Sequence, residues 1–267
     1  MAVFTIFGST GFIGRNLGKR LESLGHEVFR PLRGELVDPE KNLGHVVYCC
    51  GITNGEFRAL SSQILEAHVV NAKRVLDNSI FESFLYLSSA RIYDGMPATH
   101  EEQIIALNPT TASGFYNASK LLGESLVLNH EGPNCRVARL SYVIDAREDI
   151  FFSPIHKQVN TGKISLPWNK ETSKDFVVLE DVLQLLPIIA EKGESSIYNL
   201  ASGINRSMAE IGLMLSSVLD VEVDFSQAEP VRNPNRIEIL RISSEFGFSP
   251  IDVMGYAKKM ISSGVTQ

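Results

Sequence analysis

Residues 1–32 constrain the fold more than any other stretch. Val3-Phe4-Thr5-Ile6-Phe7 is a short apolar run. From Gly11 to Leu24, the apolar residues Phe12, Ile13, Leu17, Leu21 and Leu24 recur at helical spacing. Gly25-His26 ends that helix, and Glu27 to Leu32 reads as a second strand. Strand, helix, strand in this order implies a parallel sheet, because parallel neighbours need a crossover.

The alternation continues along the chain. Val46 to Cys50 is a buried-type strand closed by Gly51, Ile64 to Ile80 is helical, and Phe84 to Leu87 is the next strand. Phe115 to Asn129 reads as a helix with Leu121, Leu122, Leu126 and Leu128 at its apolar positions, and Arg136 to Leu140 as a strand. Helices are predicted again at Leu179–Glu191, Met208–Leu219 and Ile251–Ile261, with a strand at Ser196–Leu200. The link from Leu32 to Val46 is too short for a further strand and helix. That crossover is expected to be truncated, with at most a brief strand at Glu35–Val37. The fold class is α/β: a doubly wound parallel sheet with a smaller C-terminal lobe. The expected boundaries are residues 1–140 for the sheet domain, with 176–202 returning to it, and 141–175 plus 203–267 for the lobe.

Gly8, Gly11 and Gly14 lie between the first strand and the first helix. In that place the first allows a tight turn, the second a close approach of pyrophosphate to the backbone, and the third close packing of helix on strand. The loop, with Thr10, Phe12 and Ile13 among its glycines, is the expected dinucleotide cradle. A dinucleotide-binding fold that selects NAD places an acid at the end of the second strand. Here that position falls on Leu32, followed by Arg33. Arg33 is therefore the candidate for a 2′-phosphate, with Arg30 as the second. NADP(H) is expected ahead of NAD(H), which stays open.

Tyr116 and Lys120 are four residues apart, so they share one helix face. A lysine ammonium and a positive nicotinamide both favour a tyrosine's phenolate, which suits Tyr116 for proton exchange with a carbonyl or hydroxyl. Ser89 stands at the carboxyl end of its strand, where open α/β sheets bind ligands. Ser89, Tyr116 and Lys120 are the candidate catalytic residues.

The charge balance excludes other classes. A net charge of −6 argues against nucleic acid, whose binding rests on a basic surface. No apolar run reaches the roughly 18 residues of a membrane span. The chain opens on a strand without a charged leader, which points to the cytoplasm. Cys49, Cys50 and Cys135 read as reduced thiols, and no metal-ligand spacing is present.

Taken together these residues resemble the extended short-chain dehydrogenase/reductase family, above all its nucleotide-sugar epimerases, dehydratases and reductases. Leu87-Ser88-Ser89-Ala90-Arg91-Ile92-Tyr93 is similar to that family's serine motif. Val70-Asn71 matches an asparagine on the preceding helix, and Glu124 an acid one turn after the lysine. Ser173-Lys174-Asp175-Phe176-Val177, Glu180-Asp181-Val182, Tyr198-Asn199-Leu200-Ala201-Ser202-Gly203 and Phe246-Gly247-Phe248-Ser249-Pro250 resemble segments of its second half. The resemblance covers nearly the whole chain. It implies a Rossmann-type fold with a substrate-binding lobe, a nucleotide-sugar substrate and a setting in polysaccharide biosynthesis. It also implies a homodimer formed through the helices at Ile64–Ile80 and Phe115–Asn129. It adds Cys50 and Gly51 to the cofactor contacts. It makes Ser89, Arg91, Tyr93, Tyr142, Lys174 and Arg236 the substrate contacts, with Arg232 near the last.

The sequence departs from the family at several of these places. Lys174 replaces an arginine, Tyr142 an asparagine, Cys49-Cys50-Gly51 the usual H-L-A-A, and Asp94 a glycine. Trp168 reads as a packing residue. A 4,6-dehydratase is disfavoured, because Ala90 and Arg91 stand where that chemistry uses an Asp-Glu pair. The expected activity is NADPH-dependent reduction of a keto-sugar. The alternatives are an epimerase holding NAD tightly and, from another class, a non-catalytic dinucleotide sensor.

Overall fold

The computed structural model describes residues 1–35, 37–52, 59–145, 155, 157–158, 161–227 and 231–264. In chain order the elements are β1 (Val3–Phe7), α1 (Phe12–Ser23), β2 (Glu27–Phe29), β3 (His45–Tyr48), α2 (Ser61–Leu65), a π-helical turn (Glu66–Val70) and α3 (Asn71–Asn78). Then come β4 (Ser83–Ser89), a 3₁₀ turn (Ala90–Tyr93), α4 (Ala112–Leu128), β5 (Cys135–Leu140), β6 (Tyr142–Ile144), β7 (Lys163–Leu166) and β8 (Ser173–Val178). The last are α5 (Leu179–Lys192), β9 (Ile197–Leu200), β10 (Asn205–Ser207), α6 (Met208–Leu219), β11 (Glu222–Phe225), α7 (Leu240–Phe246) and α8 (Val253–Gly264).

Two compact units divide the chain. The first holds Met1–Ile92, Glu101–Leu140 and Leu183–Asn199; the second holds Tyr93–His100, Ser141–Val182 and Leu200–Gln267.

The first unit is built on a six-stranded sheet in the order β2-β1-β3-β4-β5-β9. The pairs β1–β2, β1–β3, β3–β4 and β4–β5 are parallel. This is the doubly wound α/β architecture expected. Its inner strands β1, β3, β4 and β5 are largely buried, Phe4, Ile6, Val46, Val47, Phe84 and Leu85 being fully so, as parallel strands covered on both faces require. The chain leaves β1 between neighbours on either side, and the glycine loop sits at that reversal of strand order. The crossover from β2 to β3 is indeed truncated. Glu35 and Val37 carry no strand pairing, and Leu36 lies outside the described residues. An isolated bridge from Asn42 to Ile80 is the pairing found there.

The helix predicted at Ile64–Ile80 is interrupted by the π turn. A π turn leaves carbonyls out of the regular ladder, and two tyrosine hydroxyls from the sheet meet them. Tyr48 donates to Ala67 O at 2.7 Å and Tyr86 to His68 O at 3.0 Å. Helix α4 packs against this turn at Gly123. A Cβ at Gly123 would come 2.4 Å from Tyr86 Oη and 2.6 Å from His68 O.

The buried face of α4 corrects the expectation at Leu122, while Leu126 and Leu128 pack against the core as expected. Tyr116, Asn117, Ser119, Lys120 and Glu124 are the buried side chains, with Val127, whereas Leu122 is 49% exposed. Polar groups needed by the strands behind the helix outrank hydrophobic pattern here.

The second unit has a three-stranded sheet, β10-β8-β6, and a two-stranded one, β11-β7. Its core gathers Ile144, Ile164, Phe176, Met208, Leu215 and Ile261. Helix α6 starts with a capping box between Ser207 and Glu210. The strands β6, β7, β10 and β11 are three or four residues each, too short for any period to show in sequence.

A Gly123→Ala substitution tests the close approach at the π turn. Alanine gains about 1 kcal/mol of helix propensity, but overpacking costs about 1–3 kcal/mol. The expected net outcome is a lower urea midpoint than the parent protein; a higher midpoint would show that α4 does not lie this close.

Candidate active site

The loop between β1 and α1 turns as tightly as the glycine spacing requires. Gly8 has a φ of +79°, a region that glycine enters without strain, and a Cβ there would lie 2.9 Å from the backbone of Cys49 and Cys50. A Cβ at Gly14 would lie 2.4 Å from Gly8 O. Gly11 donates its N–H to Gly8 O at 3.0 Å and caps α1 without a side-chain bond. No acidic residue stands in the first turn of α1. Thr10 is exposed on the loop, and Phe12 and Ile13 are half-buried at the helix start. A helix N-terminus with backbone donors, no side-chain cap and no carboxylate fits a pyrophosphate.

Strand β2 ends at Phe29, three residues short of the expected Leu32, and the turn beyond it holds more than the sequence suggested. Leu32, at the position expected to carry an acid, is 72% exposed. Its N–H, however, donates to Glu35 Oε2 at 2.6 Å, so a carboxylate does stand at this turn. Arg30 lies against α1, paired with Glu22 at 2.6 Å and packed over Gly18. Arg33 is exposed beyond it, and its charge reaches Cys50. Of the two arginine candidates, Arg33 is the one not engaged with α1.

Ser89, Tyr116 and Lys120 come together in the first unit, on β4 and α4. Ser89 hydrogen-bonds the Tyr116 hydroxyl. Burial raises the Tyr116 phenol, against the lowering by the Arg91 charge and by the Ser89 bond. Lys120 is buried, donates to Leu87 O at 2.9 Å, and is pushed down to about 8 by desolvation. Cys50, Glu124 and Cys49 oppose that shift. Gly51 borders the same spot: a Cβ there would lie 3.5 Å from both Lys120 Nζ and His68 Nε2.

His68 was not singled out by sequence, where it is one histidine in an apolar run. It is fully buried, edge-on to Tyr116 with ring centroids 5.4 Å apart. Burial and the Lys120 charge push it down to about 2, so it is neutral. Its tautomer follows from its partners. Ser119 Oγ donates to Tyr116 O at 2.7 Å, so it must accept from His68 Nδ1 at 2.9 Å. His68 Nε2 is then bare and accepts from Ile52 N–H at 3.4 Å.

Behind the site is a buried ion pair. Arg139 Nη2 lies 2.7 Å from Glu124 Oε2, with both side chains about 5% exposed or less. Arg139 Nε reaches both carboxylate oxygens and Nη1 donates to Glu101 O. Ser88 donates to Glu124 Oε1. Helix α4 is thereby tied to β4 and β5.

The remaining candidates lie in the second unit. Lys174 Nζ sits 4.1 Å from the Trp168 ring centroid and 5.0 Å from that of Tyr142, a cation over two aromatic faces. Trp168 packs against the unit's core, as its packing role predicted. Arg236 Nε donates to Gly203 O at 2.7 Å, and Tyr93 Oη to His100 O at 3.2 Å. Asp175 accepts from Ser202 N and Ile204 N, which fixes the turn after β9. Among the described residues no cluster of His, Cys, Asp and Glu could hold a metal ion, and no helix is long and apolar enough to cross a membrane.

The model of the NAD-dependent epimerase/dehydratase family matches residues 40–201, a span that contains Ser89, Tyr116 and Lys120. The chain belongs to that family. It is an NAD(P)-dependent enzyme of the short-chain dehydrogenase/reductase type, as the resemblance implied. GDP-6-deoxy-D-mannose reductase of Pseudomonas aeruginosa is 28% identical over 261 residues, covering 85% of this chain and 83% of that protein. Among solved structures, RMD from Pseudomonas aeruginosa complexed with NADPH aligns at a TM-score of 0.77 and 20% identity, covering 98% of each chain. UDP-glucuronic acid 4-epimerase from Bacillus cereus, in complex with UDP-glucuronic acid and NAD, aligns at 0.79 and 16% identity over 99% of each chain. The NAD-dependent NDP-hexosamine 5,6-dehydratase TunA aligns at 0.82 and 17%, covering 99% of this chain and 98% of that one. At these identities the solved structures show the fold that the family shares.

Glu124→Ala leaves Arg139 charged and unpaired in the interior. The expected cost is about 3–5 kcal/mol of stability, read as a fall in the urea midpoint. A loss below 1 kcal/mol would mean that water reaches Arg139.

Proposed function

We propose that the protein reduces a keto group on a nucleotide-linked sugar, with NADPH as the reductant. One observation carries this reading. Ser89 and Tyr116 share a hydrogen bond at the carboxyl end of β4, in the same unit as a helix N-terminus that no side chain caps. That is a carbonyl-activating pair within a dinucleotide-binding fold.

When bound in the cradle, the cofactor supplies a hydride to the carbonyl carbon. Ser89 donates to the carbonyl oxygen and orients it. Tyr116 passes its phenolic proton to that oxygen, so that hydride and proton together convert C=O to CH–OH. Lys120 and Gly51 line the cofactor side of the site. Tyr93, Tyr142, Lys174 and Arg236 are the proposed substrate contacts, the two cations facing a diphosphate. The relative named for GDP-6-deoxy-D-mannose makes that nucleotide sugar, oxidised with NADP⁺ in the reverse direction, the first to assay.

NADPH is favoured by Arg33. The second reading, an epimerase that retains NAD, is favoured by Glu35, an acid at the turn after β2 that accepts from Leu32 N–H and would receive a ribose hydroxyl. Denaturing the purified protein and identifying any released dinucleotide separates the two. Stoichiometric NAD supports the epimerase. An empty protein that binds NADPH more tightly than NADH supports the reductase. Exposed Leu65, Val70 and Leu122 on α2, the π turn and α4 support a homodimer as part of the proposal, which the sedimentation mass checks.

Two substitutions test the chemistry. Tyr116→Phe is expected to lower turnover at least about a hundredfold, the lower end of acid/base contributions, with dinucleotide binding kept; unchanged turnover removes Tyr116 from the reaction. Arg33→Ala is expected to cut the NADPH-over-NADH preference about tenfold, the worth of one charge-assisted hydrogen bond. An unchanged ratio of kcat/KM values would assign the preference elsewhere.

A further inference from the structure

Two features of the 3₁₀ turn that follows β4 converge on Tyr116. The Arg91 guanidinium carbon lies 5.8 Å from the centroid of the Tyr116 ring. The Arg91 backbone N–H donates to Ser89 Oγ at 3.2 Å. That bond uses a lone pair of the serine oxygen and leaves its hydrogen free to donate, to the tyrosine in this structure and to the carbonyl when substrate is bound. The turn itself is held from α4: Asn117, the residue after Tyr116, donates Nδ2–H to Arg91 O at 3.1 Å. The arginine and the tyrosine are thus fixed to each other through the backbone.

We propose that Arg91 is a positioning residue for proton transfer: its guanidinium steadies the phenolate form of Tyr116 while its N–H holds the Ser89 oxygen in place beside the tyrosine. This deepens the ketoreductase reading, on which its kinetic consequence rests, and gives Arg91 a role other than the substrate contact implied by resemblance.

The other groups around Tyr116 leave room for this assignment. His68, from the π turn, is neutral and edge-on. Lys120, on α4 itself, directs its ammonium to Leu87 O and neighbours Cys49, Cys50 and Glu124. Tyr86, from β4, is buried and un-ionised, its hydroxyl given to His68 O. Arg91 is the cation whose field lowers the Tyr116 phenol, and Ser89 is the donor that does so. A cation beside an aromatic ring attracts the neutral phenol weakly and the phenolate strongly. Removing it must therefore move the ionisation of Tyr116 to higher pH. In the reductive direction Tyr116 acts while protonated, so the alkaline fall in kcat moves to higher pH as well.

The test is a spectrophotometric titration of tyrosinate. The Tyr116 component is taken as the difference between each protein and its Tyr116→Phe counterpart, in the parent, Arg91→Met and Arg91→Lys backgrounds. Arg91→Met is expected to raise the midpoint by about one pH unit, the low end of an opposite charge at this distance. Arg91→Lys is expected to restore most of it. With substrate, Arg91→Met should lower kcat at neutral pH several-fold and shift its alkaline limb, with KM little changed. An unmoved Tyr116 midpoint in Arg91→Met overturns the proposal. A rise in KM alone, with the midpoint fixed, also overturns it and returns Arg91 to substrate binding. If Arg91→Met does not fold, Arg91→Gln carries the same comparison. The titration needs no turnover, so it decides the role of Arg91 even if the protein reduces no keto-sugar.

Discussion

Taking a carboxylate and a guanidinium out of water costs several kcal/mol for each, and only good geometry with further hydrogen bonds offsets it. Glu124 and Arg139 meet that condition. The carboxylate receives Arg139 on both oxygens and Ser88 on one, and Arg139 gives another donor to Glu101 O. The pair spans α4 and β5, and Ser88 brings in β4. Since Tyr116 and Lys120 are on α4 and Ser89 is next to Ser88, the pair sets the distance between the site's two supports. A helix docked only by apolar contacts can slide along its groove; one docked by a bidentate pair cannot move without breaking it.

The face of α4 toward the sheet is polar for the same reason. Its charged and hydroxyl-bearing residues each find a named partner on β4, β5, the π turn or the 3₁₀ turn. The π turn contributes from the other side, presenting its loosened carbonyls to Tyr48 and Tyr86 and its neutral histidine to Ser119 and Ile52. Gly123 lets the two helices approach closely enough for this network to close. Site and scaffold are therefore built from the same hydrogen bonds.

Much of this could be read from the chain. The glycines at 8, 11 and 14 announced the tight turn between β1 and α1 because backbone geometry admits few other residues there. Ser89, Tyr116 and Lys120 were legible because their spacing follows strand ends and helix turns. The pairing of Glu124 with Arg139 was not, since two residues fifteen apart on different elements leave no periodic mark. The π turn was hidden because its sequence continues a helical pattern. The contact of Glu35 with Leu32 N–H was hidden for a related reason: an acid was sought at a fixed position, and a turn brings a carboxylate back from three residues further on. Of the four leucines of α4, Leu126 and Leu128 do pack against the core, and Leu122 misled because hydrophobic pattern ranks burial by side-chain chemistry, whereas the most buried places on the helix went to groups that hydrogen-bond the strands. The short strands of the second unit lacked the length for any pattern.

The truncated crossover has a consequence for the rim of the sheet. In dropping a strand and helix, the chain made β2 the outermost strand. An outermost parallel strand offers a row of unpaired amides to any extended peptide nearby, and so invites aggregation. Here the exposure is blunted in three ways. The strand is three residues long, Glu27 on it is exposed, and Pro31 follows two residues past its end with no N–H to give. Shortening the fold at one place thus imposed a protective composition on its neighbour.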